Sequence, residues 1–236
     1  MSTKRFFSLL AATTALAFLA EPAFAQRYFP ERDGAFRIHF GQFQPEGDSE
    51  YWRDAEDLFT GEPSDLEDAS FGMDYLLPVN RRISVIFSGS VYNGDTTRSY
   101  LDFEDNFGNR IRHDASLDIA SATVGVVFHL SPPRSSFSPY VGAGGGAFPW
   151  RLEEDGDFID FRTNPPEIFT ARLSSEGVGF GYYLLAGLEA SISQNLSLFA
   201  ESRWTQVDDE LDDDFEGFGK IDLSGTQVSF GLSWNL

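Results

Sequence analysis

Val178-Gly-Phe-Gly-Tyr-Tyr-Leu-Leu-Ala-Gly-Leu-Glu-Ala-Ser-Ile192, a turn at Ser193-Gln-Asn195, and Leu196-Ser-Leu-Phe-Ala-Glu-Ser-Arg-Trp-Thr-Gln-Val207 decide the fold. Every even position from Val178 to Ile192 is apolar, while the odd ones run Gly179, Gly181, Tyr183, Leu185, Gly187, Glu189, Ser191. Side chains alternate between the two faces of a strand, so the first arm carries an unbroken apolar stripe. The return arm puts Leu196, Leu198, Ala200 and Trp204 on one face and Ser197, Glu201, Arg203 and Thr205 on the other. A strand of a soluble domain usually runs about 5–6 residues, well short of these. An apolar side turned to lipid and a small, polar side turned to a lumen suits a membrane barrel.

Working outward, the period-2 criterion predicts eight strands, at Ala35–Gln44, Ala69–Val79, Ile83–Asn93, Leu117–Leu130, Ser138–Trp150, Glu176–Ile192, Leu196–Val207 and Asp222–Leu236. Apolar faces are readable in most: Phe36, Ile38 and Phe40 in the first, Phe71, Met73 and Tyr75 in the second, Val228, Phe230, Leu232 and Trp234 in the last. The fifth, from Tyr140 to Phe148, is so rich in glycine that its faces stay open. Its glycines suit either a kink that helps closure or a weak, flexible wall. Connections alternate between short ones (Asn80–Arg82, Ser131–Phe137, Ser193–Asn195) and long ones (Pro45–Asp68, Gly94–Ser116, Arg151–Ser174, Asp208–Ile221). The long ones are expected to be loops, with a helical turn over Ser49–Phe59 suggested by Trp52, Ala55 and Phe59. An eight-stranded antiparallel up-and-down transmembrane barrel, all-β, with short periplasmic turns and four long external loops is the expected fold.

The first 25 residues read as a cleaved signal peptide: Lys4 and Arg5, an apolar run Phe6–Ala20, then Ala23-Phe-Ala25 before Gln26. Residues 26–236 are the expected barrel domain. The 236-residue chain has no cysteine and a formal charge of −20, which excludes disulfides and argues against nucleic acid. Acid concentrates in the expected loops. Residues 46–67 hold nine Asp or Glu against Arg53, and 208–216 hold seven, while the short turns carry Arg81, Arg82 and Arg134. Such charge either solvates the loops or shares divalent cations with lipopolysaccharide phosphates. No EF-hand spacing is present, and neither a resident metal nor a cofactor is expected. Aromatics in the same loops, from Tyr51 and Trp52 to Phe215 and Phe218, could pack the loops together or make an adhesive surface.

Pro139-Tyr-Val-Gly-Ala-Gly-Gly-Gly146, Ala186-Gly-Leu-Glu189, Leu196-Ser-Leu-Phe-Ala-Glu-Ser-Arg203 and Val228-Ser-Phe-Gly-Leu-Ser-Trp234 resemble the small outer-membrane barrel family, the OmpA-like and OmpW-like eight-stranded proteins. The resemblance implies a monomer in the outer membrane of a Gram-negative-type bacterium, delivered by the barrel-assembly machinery. The family usually ends on Phe or Trp, whereas this chain ends Trp234-Asn-Leu236. OmpW-like relatives suggest an alternative role, a channel for small or hydrophobic solutes, and some relatives modify lipid A. Of the three histidines His39, His113 and His129, His39 has no His-x-Ser partner for that chemistry, and His129, beside the short turn Ser131–Phe137, falls at the periplasmic end, far from an outer-leaflet substrate. His113 falls in an expected loop, and His39 and His129 face inward.

Eight strands leave a lumen filled by its own side chains. The inward set includes a charge network, Arg37, His39, Asp74, Glu189, Glu201 and Arg203, in which the acids should pair with the arginines because an orphan charge there costs several kcal/mol. Tyr75, Tyr182, Trp204, Phe230 and Trp234 are the expected aromatic girdle. These readings favour a non-enzymatic barrel with a plugged lumen and a structural or surface-interaction role.

Overall fold

The computed structural model describes residues 34–105, 107–131 and 135–236; the expected leader at 1–25 and Arg134 of the second short turn lie outside them. Eight strands form one closed barrel: β1 (Ala35–Pro45), β2 (Asp68–Pro78), β3 (Ile83–Glu104), β4 (Arg110–His129), β5 (Phe137–Asp160), β6 (Glu167–Ser191), β7 (Leu196–Gln206) and β10 (Gly225–Asn235). Each pairs antiparallel with its neighbour around the ring. Closure comes from β1 against β10, with Ala35 opposite Asn235 and Pro45 opposite Gly225. No sheet edge therefore remains across the apolar belt, as the hydrocarbon region demands. Among the described residues no helix is long and apolar enough to cross a membrane.

The belt itself is explicit. Phe40, Phe71, Phe87, Val124, Phe180, Leu184, Phe230 and Leu232 all point outward and stay about half exposed or more. A continuous apolar surface of this extent, circling every strand, is incompatible with water as the solvent of that face.

Two of the expected long loops prove to be strand. The segments 94–104 and 110–116 continue β3 and β4 as a paired ladder, and 151–160 and 167–174 continue β5 and β6. The physical reason is an inversion of pattern. In the belt the outward residues are apolar, as with Val124, Val126 and Phe128 of β4. Higher on the same strand the inward residues Ile111, Ala115 and Leu117 are buried while Arg110, Arg112, Asp114 and Asp118 face out. Above the lipid the outer face meets water, so the greasy phase moves inside, and a search for one constant phase ends the strand too early. The four central strands run 22, 20, 24 and 25 residues against 11 for β1, β2, β7 and β10. The barrel therefore has a tall wall on one side and a low rim on the other.

The glycine-rich strand has definite faces. Tyr140, Phe148 and Trp150 point inward and Val141 outward. Its pairing with β6 is continuous from Phe137 to Asp160, while its ladder with β4 skips Ala120 and Ser121 opposite Pro149 and Phe148. The glycines supply room: a Cβ on Gly144 would lie 2.6 Å from the ring of Tyr183, and one on Gly187 of β6 2.3 Å from the ring of Tyr140.

The remaining connections fold over the mouth. Helix α1 (Glu50–Leu58) starts at Ser49, whose hydroxyl accepts the Trp52 amide, and it buries Tyr51, Trp52 and Ala55. A 3-10 turn follows at Pro63–Leu66. The last external connection is a small ribbon of β8 (Asp208–Glu210) and β9 (Lys220–Asp222) around a second 3-10 turn. Trp52, Leu66, Leu211, Phe215 and Ile221 from these segments pack on Tyr92, Leu117, Phe148 and Trp150 of the wall as one apolar cluster. The acid-rich connections thus form a lid with its own core, in which Tyr51, Trp52 and Phe215 pack the loops together.

Candidate functional site

Side chains of β1, β2, β5, β6 and β7 converge low in the lumen. Arg37 is fully buried and its Nη2 donates to Glu189 Oε2 at 2.6 Å. Its Nη1 donates to the Tyr140 hydroxyl at 3.3 Å and lies 3.9 Å from Glu201 Oε2. Tyr140 in turn donates to Glu201 Oε2 at 3.1 Å. Arg203 Nη2 donates to Glu201 Oε1 at 3.0 Å and stands 3.8 Å from Asp74, whose other oxygen is 3.7 Å from His39 Nε2. All six charged or titratable residues named from the sequence are thereby joined in one chain, Glu189–Arg37–Glu201–Arg203–Asp74–His39.

Apolar and aromatic surfaces hold the cations in place. The Arg37 guanidinium lies over the rings of Phe199 (4.6 Å) and Tyr140 (4.9 Å), and that of Arg203 over Tyr183 (4.6 Å). These stacking contacts orient the planar forks. Tyr140 and Phe199 were missed as site residues. The glycines around Tyr140 left its face undecided, and Phe199 interrupts an otherwise polar face on β7. The signal for Tyr140 was Gly187, a glycine placed on the polar face of a long strand.

Above the charges lies a chamber of about 40 Å³, bordered by Ser70, Ser90, Ser121, Thr123, Thr205, Gln227 and Arg203. A volume of this size holds one to a few waters. Gln227 Nε2 donates to Ser70 Oγ at 2.8 Å and the Ser90 and Ser121 hydroxyls meet at 2.7 Å. The chamber ends above at Phe43, Tyr92 and Phe148 of the wall and Leu223 after β9, apolar side chains on which the lid segments pack. The lumen is thus closed twice, by ions below and by apolar packing above.

Of the expected girdle, Tyr182 and Trp204 meet edge to face, ring centres 5.8 Å apart, toward the external rim. Tyr75 and Trp234 both neighbour Phe36 near the opposite rim. Phe230 sits midway along β10 opposite Phe40, hence in the middle of the belt rather than at its edge.

The histidines separate. His39 belongs to the charge chain, and His129 lies 3.4 Å from Ser84 Oγ near the short turns. His113, expected in a loop, is instead on β4 and buried against Phe158, stacked at 5.1 Å. Burial and the neighbouring Arg98 push it down to about 4. Glu154 opposite is held above the usual carboxylate range by burial, while the Tyr51 hydroxyl donates to it at 2.7 Å. Of the loop aromatics, which could pack the loops together or make an adhesive surface, Tyr51, Trp52, Phe158 and Phe215 are buried, whereas Phe107, Phe161 and Phe218 remain exposed. Among the described residues no group of three or more His, Asp or Glu side chains is placed to hold a metal ion.

No protein-family model and no curated relative matches the chain. In fold it is similar to neisserial surface protein A, 10% identical, covering 86% of this chain and 96% of that one with a TM-score of 0.47. It is similar also to the attachment invasion locus protein Ail of Yersinia pestis (17% identical, 87% and 100% covered, TM-score 0.43) and to the outer membrane protease OmpT of Escherichia coli (9%, 89% and 99%, 0.48). These are likenesses at low identity, and the assignment of this chain as an eight-stranded barrel rests on its own closed, hydrogen-bonded ring.

Proposed function

We propose that the protein is a non-enzymatic β-barrel of the outer membrane of a Gram-negative-type bacterium, with a plugged lumen and a role in envelope structure or at the cell surface. The observation that carries this reading is the double closure. A pore would have to break the Arg37–Glu189 and Arg203–Glu201 pairs and also displace the apolar packing above them, with a chamber of about 40 Å³ in between. Lipids and lipopolysaccharide are the partners of its belt and rim. The surface-contact role is supported by Phe107, 89% exposed at the tip of the β3–β4 hairpin, beyond the reach of the barrel's own bilayer.

The histidines support the non-enzymatic reading. His39 and His113 are buried, and His129 meets Ser84 on the lumen side, away from the surface where a lipid would lie. The test is planar-bilayer recording of the refolded chain, together with mass spectrometry of lipid A from expressing cells. Absent conductance and unaltered lipid A agree with the proposal. Sustained conductance would move the protein to the solute-channel reading, and modified lipid A to an enzyme.

A further inference from the structure

Above the lipid, three elements meet on one buried histidine. His113 of β4 is sealed from water. Phe158 of β5 stacks on its ring, and the edges of Phe59 (4.5 Å) and Tyr100 (6.4 Å) close the sides. Neither ring nitrogen has a hydrogen-bond partner. Nε2 is 3.9 Å from Glu154 Oε2, and the other Glu154 oxygen accepts from Tyr51 at 2.7 Å. Tyr51 lies in the first turn of α1, and Phe59 is the residue on which α1 ends. The guanidinium of Arg98 lies over the Trp52 ring at 5.2 Å. Both ends of the helix are therefore fastened to the His113–Glu154 pair, and the helix in turn covers the mouth.

We propose that His113 and Glu154 form a proton-operated latch, in which protonation of His113 frees α1 from the tall wall and uncovers the lumen mouth. The groups that face the histidine are Arg98 and Tyr100 from β3, Asp114 beside it on β4, Glu154 from β5, and Tyr51 behind Glu154 on α1. A neutral imidazole fits this box. An imidazolium would sit desolvated among three aromatic rings with a guanidinium nearby, and Glu154, whose Oε2 lies 3.9 Å away, is itself pushed toward its neutral form by burial.

The sign follows from linkage. The closed lid holds His113 near 4, whereas a water-exposed histidine titrates near 6.5. Opening takes up a proton, so it is favoured as pH falls from about 6.5 toward 4. Glu154, raised by burial, releases its proton more readily when open and so works in the opposite direction. Glu154→Gln removes that opposition and keeps an acceptor for Tyr51.

The measurement is hydrogen exchange of the α1 amides, residues 50–59, on the full chain in phospholipid vesicles at pH 7.5 and pH 5, corrected for intrinsic rates. In E154Q, protection of α1 should fall about 30-fold between these pH values, with the β7 amides unchanged. In the wild type the step should be smaller than in E154Q, because Glu154 opposes it. His113→Phe keeps the aromatic box without a titrating group and should abolish the pH step, as should His113→Gln if the phenylalanine variant fails to fold. A flat E154Q profile, a step that survives loss of His113, or equal loss at β7 would each overturn the proposal.

Discussion

Replacing Arg37 with methionine tests the lumen chemistry most directly. The arginine is fully buried and is the cation nearest Glu189, at 2.6 Å, while also touching the Glu201–Tyr140 pair. Methionine keeps a stem of similar length against Phe199 and Tyr140, so what is lost is charge and five donors rather than packing. Three buried carboxylates, Glu189, Glu201 and Asp74, are left with one remaining guanidinium, that of Arg203. Breaking a buried pair by deleting one partner costs about 3–5 kcal/mol, and equilibrium urea unfolding in phospholipid vesicles should register a loss in that range. Adding Glu189→Gln removes the carboxylate that Arg37 contacts most closely, and the double variant should recover about 1–2 kcal/mol of the loss, the usual size of coupling between contacting groups. An R37M barrel within about 0.5 kcal/mol of wild type would refute the reasoning. So would a double variant that recovers nothing. A rise in conductance with unaltered unfolding would make the ion chain a gate instead of a brace.

Two further outcomes follow from packing. Gly187→Ala places a methyl 2.3 Å from the Tyr140 ring; overpacking of this kind costs about 1–3 kcal/mol. The same unfolding assay checks it, and Tyr140→Leu in the same chain should relieve part of the cost. Phe230→Arg puts a charge in the middle of the belt, where it should cost about 2–4 kcal/mol in vesicles; an unchanged midpoint would mean that this face does not meet hydrocarbon.

Much of this was legible in the residues, because lipid imposes a strict period of two. The eight strands, the inward and outward faces around Val178–Val207, and the members of the ion chain all follow from that alternation. What resisted reading has a common cause. A single period-2 pattern presumes one solvent along the whole strand, yet β3 to β6 leave the bilayer partway along. At Leu117, Ile111 and Leu152 the apolar residues have moved to the inner face, which breaks the pattern without ending the strand. The lid was hidden for a related reason. Its acids dominate the composition of 46–67 and 208–216, while the few residues that fix its position, Tyr51, Trp52, Leu66, Phe215 and Ile221, are scattered among them. Pairings such as Arg37 with Glu189, 152 positions apart, depend on register around the ring, which alternation alone does not supply.

The unequal height of the barrel has a bearing on what can come near it. Four strands rise as a screen on one flank, so a molecule arriving from outside finds its approach over the low flank, past the ribbon between β7 and β10. That ribbon bears Asp208, Asp209, Glu210, Asp212, Asp213, Asp214 and Glu216, and Lys220 is bonded to Asp208. A visitor rich in lysine or arginine is drawn in along that side and an anionic one is turned away, with a preference that fades as salt shortens the reach of the field. Shape and charge together give the protein a front and a back.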